Sequence, residues 1–153
     1  MTANRPVIFD TSVYVSAVRE GPESPPANLL RENIPRTHMV AVVLGELRAG
    51  QNDARAKKAL DRLERQFRRV GRLISPPASV WSRTGEVLAR MRRNHPEMRS
   101  KIALLWNDAL IAMCARQIGA RLVTCNAADF LTIRRFVSFD LQVLSARSET
   151  DGT

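Results

Sequence analysis

Residues 107–130 read NDALIAMCARQIGARLVTCNAADF, and this stretch decides the fold. Together with the residues before it, it joins an apolar run, a glycine at Gly119, the run Arg121-Leu122-Val123-Thr124 and a polar turn at Asn126. From Ile102 to Ile118 the apolar side chains Ile102, Leu104, Leu105, Trp106, Leu110, Ile111 and Met113 fall on every side of a helix. Such a segment belongs inside a protein, so one long enclosed helix is expected here. Gly119 suits the position just past a helix end. Arg121 to Thr124 reads as a short buried strand, and Asn126 to Arg135 as a turn with a short helix. Helices alternating with short apolar strands point to an α/β fold built on a parallel sheet.

The rest of the chain repeats this alternation. Val7-Ile8-Phe9 is a short apolar run, and Asp10-Thr11-Ser12 looks like the turn into a helix. Gly21 to Pro26 holds three prolines and reads as a loop, with a short helix over Ala27 to Asn33. Val40 to Val43 is β-branched and reads as the start of a strand, whereas Leu44 to Ala49 continues better as a helix ending at Gly50. Asn52 or Asp53 caps a further helix, on which Ala56, Leu60, Leu63, Phe67 and Val70 recur at helical spacing and seven basic residues take the other faces. Leu73-Ile74 suggests a short strand, Ala78 to Arg93 a helix, and Leu141 to Leu144 a last strand. One domain over residues 1–145 is expected, with a polar, frayed tail at 146–153.

Charge narrows the partner class. The 153 residues carry 24 Lys+Arg against 15 Asp+Glu, a net charge of +9, and most of the basic residues are arginine. Arginine's planar fork fits phosphate oxygens, so nucleic acid leads the expected partners, ahead of an anionic membrane surface. The helix from Arg55 to Arg72 is the expected RNA-attracting face. Cys114 and Cys125 are not spaced as a redox or zinc pair and read as buried thiols; His38 and His95 are isolated and read as surface residues. Asp10 interrupts the first apolar run too early for a secretory signal, and no run approaches the ~18 residues of a membrane span, so a cytoplasmic protein is expected.

Four polar positions stand where ligands of such folds bind, beyond the carboxyl ends of strands or inside apolar segments. Asp10 ends a strand, and it also suits a helix cap. Glu46 sits among apolar neighbours in Val42-Val43-Leu44-Gly45-Glu46-Leu47, or else is one charge on a solvated helix face. Asp108, with Asn107, is the sole polar interruption between Ile102 and Cys114. A buried carboxylate there needs a proton, a partner or a metal, unless a helix begins at that point and Asn107 or Asp108 caps it. Asn126 and Asp129 have the spacing of a capping box, or supply a fourth corner of the site. Clustered carboxylates repel one another, and a hard cation such as Mg²⁺ explains why they would be held together.

The segments VIFDTSVYV, VVLGELRAG and NDALIAMCARQIGARLVTCNAADF, in that order, resemble PIN domains, particularly bacterial VapC-type toxins. The resemblance runs from Val7 to about Leu144, and its last segment is the most specific. It implies a three-layer α/β/α sandwich with a short central parallel sheet, and an endoribonuclease that uses Mg²⁺ or Mn²⁺. Asp10, Glu46 and Asp108 match the family's first three acidic positions, with Asp10 and Asp108 as the chief metal ligands. Either Asn126 or Asp129 completes the set, and Thr11, Ser12 and Thr124 would orient ligands or water. The resemblance also implies dimerisation, an antitoxin that blocks the site, and products with a 5′-phosphate and a 3′-hydroxyl. Two other readings compete. One is a non-catalytic PIN-like module that binds RNA or a protein. The other is a phosphatase with Asp10 as nucleophile, which usually needs an aspartate where Ser12 stands.

Overall fold

The computed structural model describes residues 4–145, so the tail expected at 146–153 lies outside the described residues. Five parallel strands form the centre: β1 (Val7–Phe9), β2 (Thr37–Val40), β3 (Leu73–Ile74), β4 (Arg121–Thr124) and β5 (Asp140–Val143), in the order β3-β2-β1-β4-β5. Parallel neighbours need crossover connections, and helices supply them. They are α1 (Thr11–Glu20), α2 (Pro25–Glu32), α3 (Ala41–Ala49), α4 (Ala54–Arg69), α5 (Ala78–Asn94), α6 (Arg99–Ile102), α7 (Trp106–Ile118) and α8 (Ala127–Arg134).

Alternation along the strands divides the core into two layers. Val7 and Phe9 of β1 point to one face of the sheet, where they pack with Val13, Val123, Leu29 and Leu30 under α1 and α2. Ile8, Met39 and Leu122 point to the other face, into a larger core with α3, α5, α7 and α8. The result is the α/β/α sandwich expected from the sequence.

Several boundaries differ from the sequence reading. The strand expected over Val40–Val43 is Thr37–Val40, and Val42 and Val43 belong to α3. Tertiary packing overrides their β-branched preference, because α3 must present Val43 and Leu44 to the core directly after the strand. Helix α2 begins at Pro25 rather than Ala27, with Ser24 as N-cap accepting the Ala27 N–H at 3.3 Å. Proline fits the first turn because its missing N–H has no helical partner there. His38 and His95 are half-buried rather than at the surface. His38 lies within β2, and the ring of His95 meets Phe136 edge-on with its Nδ1 3.0 Å from Glu97.

The largest correction concerns residues 99–118. They do not form one helix from Ile102. Helix α6 ends at Ile102, a 3-10 turn spans Ala103–Leu105, and α7 starts at Trp106. The break turns Leu104 outward, leaving it 77% exposed, and α7 buries every residue from Ala109 to Ala115. Asp108 is thereby placed in the first turn of α7, the end at which the helix dipole favours a negative charge.

Helix α7 ends on Gly119, whose φ of +66° is left-handed, and no atom lies within 4 Å of where a Cβ would sit. A Gly119→Ala substitution should therefore cost backbone strain alone, about 1 kcal/mol. Urea denaturation should show a lower midpoint with an unchanged slope, and an equal midpoint would show that this turn relaxes freely.

Candidate active site

The chain order places a switch point between β1 and β4. After β1 the chain builds β2 and β3 on one side, then crosses to β4 and β5 on the other. The connections leaving β1 and β4 diverge, and a crevice opens at their carboxyl ends. A cleft of about 270 Å³ occupies that place, lined by Asp10, Thr11, Ser12, Glu46, Asn107, Asp108 and Asn126, with Leu104 and Phe130.

Asp10 is 5% exposed and caps α1, so the capping role and the cleft position are both real. Its Oδ1 accepts the Ser12 backbone N–H, and its Oδ2 accepts the Thr124 hydroxyl from the end of β4. Thr124 spends its one proton on Asp10, so across the 3.3 Å contact between hydroxyls Ser12 must be the donor. The Ser12 oxygen in turn accepts the Cys125 N–H at 2.9 Å, and the Thr124 oxygen accepts the Asn126 N–H at 2.9 Å. Four residues of two segments thus aim donors along one chain that ends on the Asp10 carboxylate, each bond polarising the next. Each Asp10 oxygen still has a lone pair for the cleft.

Glu46 projects from α3 and accepts the Thr11 hydroxyl on Oε1 at 2.8 Å. That bond and its place in the cleft lining turn Glu46 toward the site. Asp108 makes no cap bond at the start of α7. Burial pushes its carboxyl up to about 7, and the negative charges of Asp10, Asp129 and Glu46 push the same way. That mutual repulsion places all four acids in one electrostatic neighbourhood. Asn126 stands at the N-cap of α8 without a capping bond from its side chain, so the expected capping box is absent. Asn126 lines the cleft, whereas Asp129, in the first turn of α8, is not among its lining residues. Asn107, read from sequence only as a cap, is a cleft residue, as are Leu104 and Phe130. Its position beside Asp108 was the available signal for Asn107; Leu104 had none, since only the 3-10 turn exposes it.

The donors are all oxygens, the chemistry of a hard divalent cation. Among the described residues no three acidic, His or Cys side chains close into a ready-made cage. The arrangement therefore fits a cation held by one or two carboxylates and otherwise by water and substrate, as Mg²⁺ often is.

The fold and cleft define an α/β/α domain with an acidic centre at the switch point of its sheet. The PIN domain family model matches residues 7–135, and the chain belongs to the PIN domain family. Similar solved structures include VapBC2 from Rickettsia felis bound to a DNA fragment from its promoter, 22% identical over 91% of this chain and 98% of that one, with a TM-score of 0.64. DNA-bound VapBC from Salmonella typhimurium is 19% identical over 91% and 98%, with a TM-score of 0.65. FitAcB from Neisseria gonorrhoeae is 20% identical over 88% and 95%, with a TM-score of 0.64. No curated protein matches the chain.

The raised Asp108 carboxyl has a stability consequence. Between about pH 4 and pH 7 the folded state holds a proton that the unfolded chain has released, so stability falls as pH rises through that window. Asp108→Asn should relieve the loss. In EDTA at pH 8 the variant should melt above wild type, by about 2–4 °C for each kcal/mol relieved. The difference should vanish below about pH 4, whereas a gap that ignores pH would mean that Asp108 is not strained by its neighbours.

Proposed function

We propose that this chain is a metal-dependent endoribonuclease and the toxin of a toxin–antitoxin pair. The observation that carries the reading is the convergence of Asp10, Glu46 and Asp108, from three separate segments, on one cleft. A non-catalytic binding module would not need to retain a carboxylate whose ionisation is opposed by three like charges.

In this reading Asp10 and Asp108 hold Mg²⁺ or Mn²⁺. When bound, the cation polarises the scissile phosphate and favours ionisation of a water. The hydroxyl chain through Ser12 and Thr124 fixes Asp10 so that one lone pair of each oxygen faces the cleft. Glu46, oriented by Thr11, positions the attacking water and accepts its proton. The amides of Asn107 and Asn126 supply neutral donors to the phosphate or ribose of the bound strand. Asp129 adds negative potential behind the site rather than a direct contact.

The protein partner has a surface suited to it. An apolar groove of about 590 Å³ lies between α1, α2 and α4, lined by Tyr14, Leu30, Ile34, Leu63, Phe67 and Val70 among others. The Tyr14 hydroxyl is buried and, among the described residues, has no hydrogen-bond partner. A docking antitoxin segment with an apolar face would cover the groove. Trp81, 49% exposed and stacked near Trp106 at 6.0 Å, is suited to a contact between two copies in a homodimer. Among the described residues no helix is long and apolar enough to cross a membrane. Action on cytoplasmic RNA completes the proposal.

Purified protein should cut RNA with Mg²⁺ or Mn²⁺ and stop in EDTA. Asp108→Asn should lower the rate on the order of 100-fold or more, and Thr124→Val by about 10- to 100-fold. Undiminished cleavage by Asp108→Asn would sink the site assignment, and tight RNA binding without turnover would favour the binding module. Induction in a bacterial host should arrest growth, and Asp10→Ala or the co-expressed neighbouring gene product should relieve the arrest.

A further inference from the structure

We propose that a groove on the flank of α5 and α7 is a second RNA-contacting surface, taking the single strand as it leaves the acidic cleft. The proposal rests on the nuclease reading for the identity of its ligand.

Two adjoining cavities, of about 560 and 420 Å³, share Arg83, Met113 and Arg116, so they form one continuous groove. Arg83, Arg90 and Arg93 face it from α5, and Arg116 faces it from α7, against one carboxylate, Glu86. Asp140, Asp61, Glu64 and Glu97 make ion pairs elsewhere, and none of them lines this groove. Two of the arginines are pinned by neutral acceptors. Arg90 donates to the Phe136 carbonyl, and Arg116 donates to the Ser138 carbonyl at 2.6 Å and the Ser138 hydroxyl at 2.8 Å. These bonds fix the guanidinium groups without cancelling their charge, and a polyanion then binds with little side-chain entropy left to lose.

The contrast with α4 separates this groove from general basicity. On α4 the carboxylates Asp61 and Glu64 engage Lys57 and Arg68 and reach Arg48 of α3. Among the described residues Glu86 of the flank groove is in no such pair, but Arg62 and Arg65 of α4 are likewise outside these ion pairs, so the groove is set apart by its shape and its lining rather than by unpaired charge alone. Its floor also differs from a plain charged face, since Val87, Met113, Phe136 and Val137 lie between the arginines. Phosphate-binding cations around an apolar floor that includes an aromatic ring are what a single strand with splayed bases requires. A duplex keeps its bases stacked inside and could use only the cations.

The groove is connected to the cleft by two elements. Arg116 follows Asp108 on α7 by eight residues, about 12 Å along the axis at ~1.5 Å per residue. Phe130 of α8 lines the cleft, and Phe136, just past the end of α8, lines the groove. That axial separation along α7 is within the span of a strand a few nucleotides long.

The test is fluorescence anisotropy of the full chain carrying Asp108→Asn, in EDTA, with a labelled single-stranded RNA over a salt series. Arg83→Gln with Arg93→Gln is compared with an equal loss of charge on α4, Arg62→Gln with Arg65→Gln. All four arginines are exposed, so both variants should fold, and circular dichroism is the check. The α5 pair should weaken single-strand binding on the order of tenfold at 0.1 M salt and flatten the log–log salt slope by about 1.4, at ~0.7 per lost contact. The α4 pair should do markedly less, and with duplex RNA the two pairs should differ little. Equal effects of the two pairs on single strands would reduce the groove to bulk charge and overturn the proposal. So would an α5 pair that binds like its parent, including the case in which the groove takes an acidic protein. Because binding is read without turnover, these outcomes are independent of whether wild type cuts RNA in Mg²⁺.

Discussion

The hydrogen bond from the Thr124 hydroxyl to the Asp10 carboxylate crosses the seam between β1 and β4, and much of the molecule is arranged around it. Asp10 is almost wholly buried, and a buried carboxylate is tolerated only with strong donors on its oxygens. Thr124 can supply one because β1 and β4 are adjacent, parallel and in register, Phe9 opposite Val123, which brings their carboxyl ends level. The Asp10 N–H completes the seam by donating to the Val123 carbonyl at 3.0 Å. The pairing that closes the sheet core is thus also what orients the acid.

Local and global electrostatics pull in opposite directions here. The chain as a whole is strongly positive, with a net charge of +9, while its cleft gathers carboxylates that raise the pKa of Asp108. A positive exterior draws a polyanion in from a distance set by the Debye length. A negative interior would then repel it, unless a cation intervenes or the phosphates are held by neutral donors such as Asn107 and Asn126. The excess of arginine and the paucity of lysine fit contact with phosphate better than they fit solubility alone.

Much of this was legible in the sequence because strand and helix periods survive in short segments. The VIF and RLVT runs sit in a sheet covered on both faces, so VIF is apolar throughout and RLVT is apolar at Leu122 and Val123 on opposite faces, with only Arg121 exposed. Asp10 and Asp108 were legible because each interrupts an apolar run. Glu46 was weaker, since nothing local says which way a helix face points; its bond to Thr11 joins residues 35 apart. The start of α3 is masked because Val42 and Val43 look like strand, and only packing decides against it. The break before α7 was invisible because Ala103, Leu104 and Leu105 are equally good in a continuing helix, and the 3-10 turn there has no proline or glycine to mark it.

The bond between Asp10 and Thr124 spans 114 residues. During translation Asp10 therefore waits for nearly the entire domain to emerge before its donor Thr124 exists. Contacts of such long sequence separation form late and slowly. A ribosome-bound fragment of this chain would have the first aspartate in hand yet no oriented cleft, so whatever chemistry the cleft supports waits until almost the whole domain has left the ribosome.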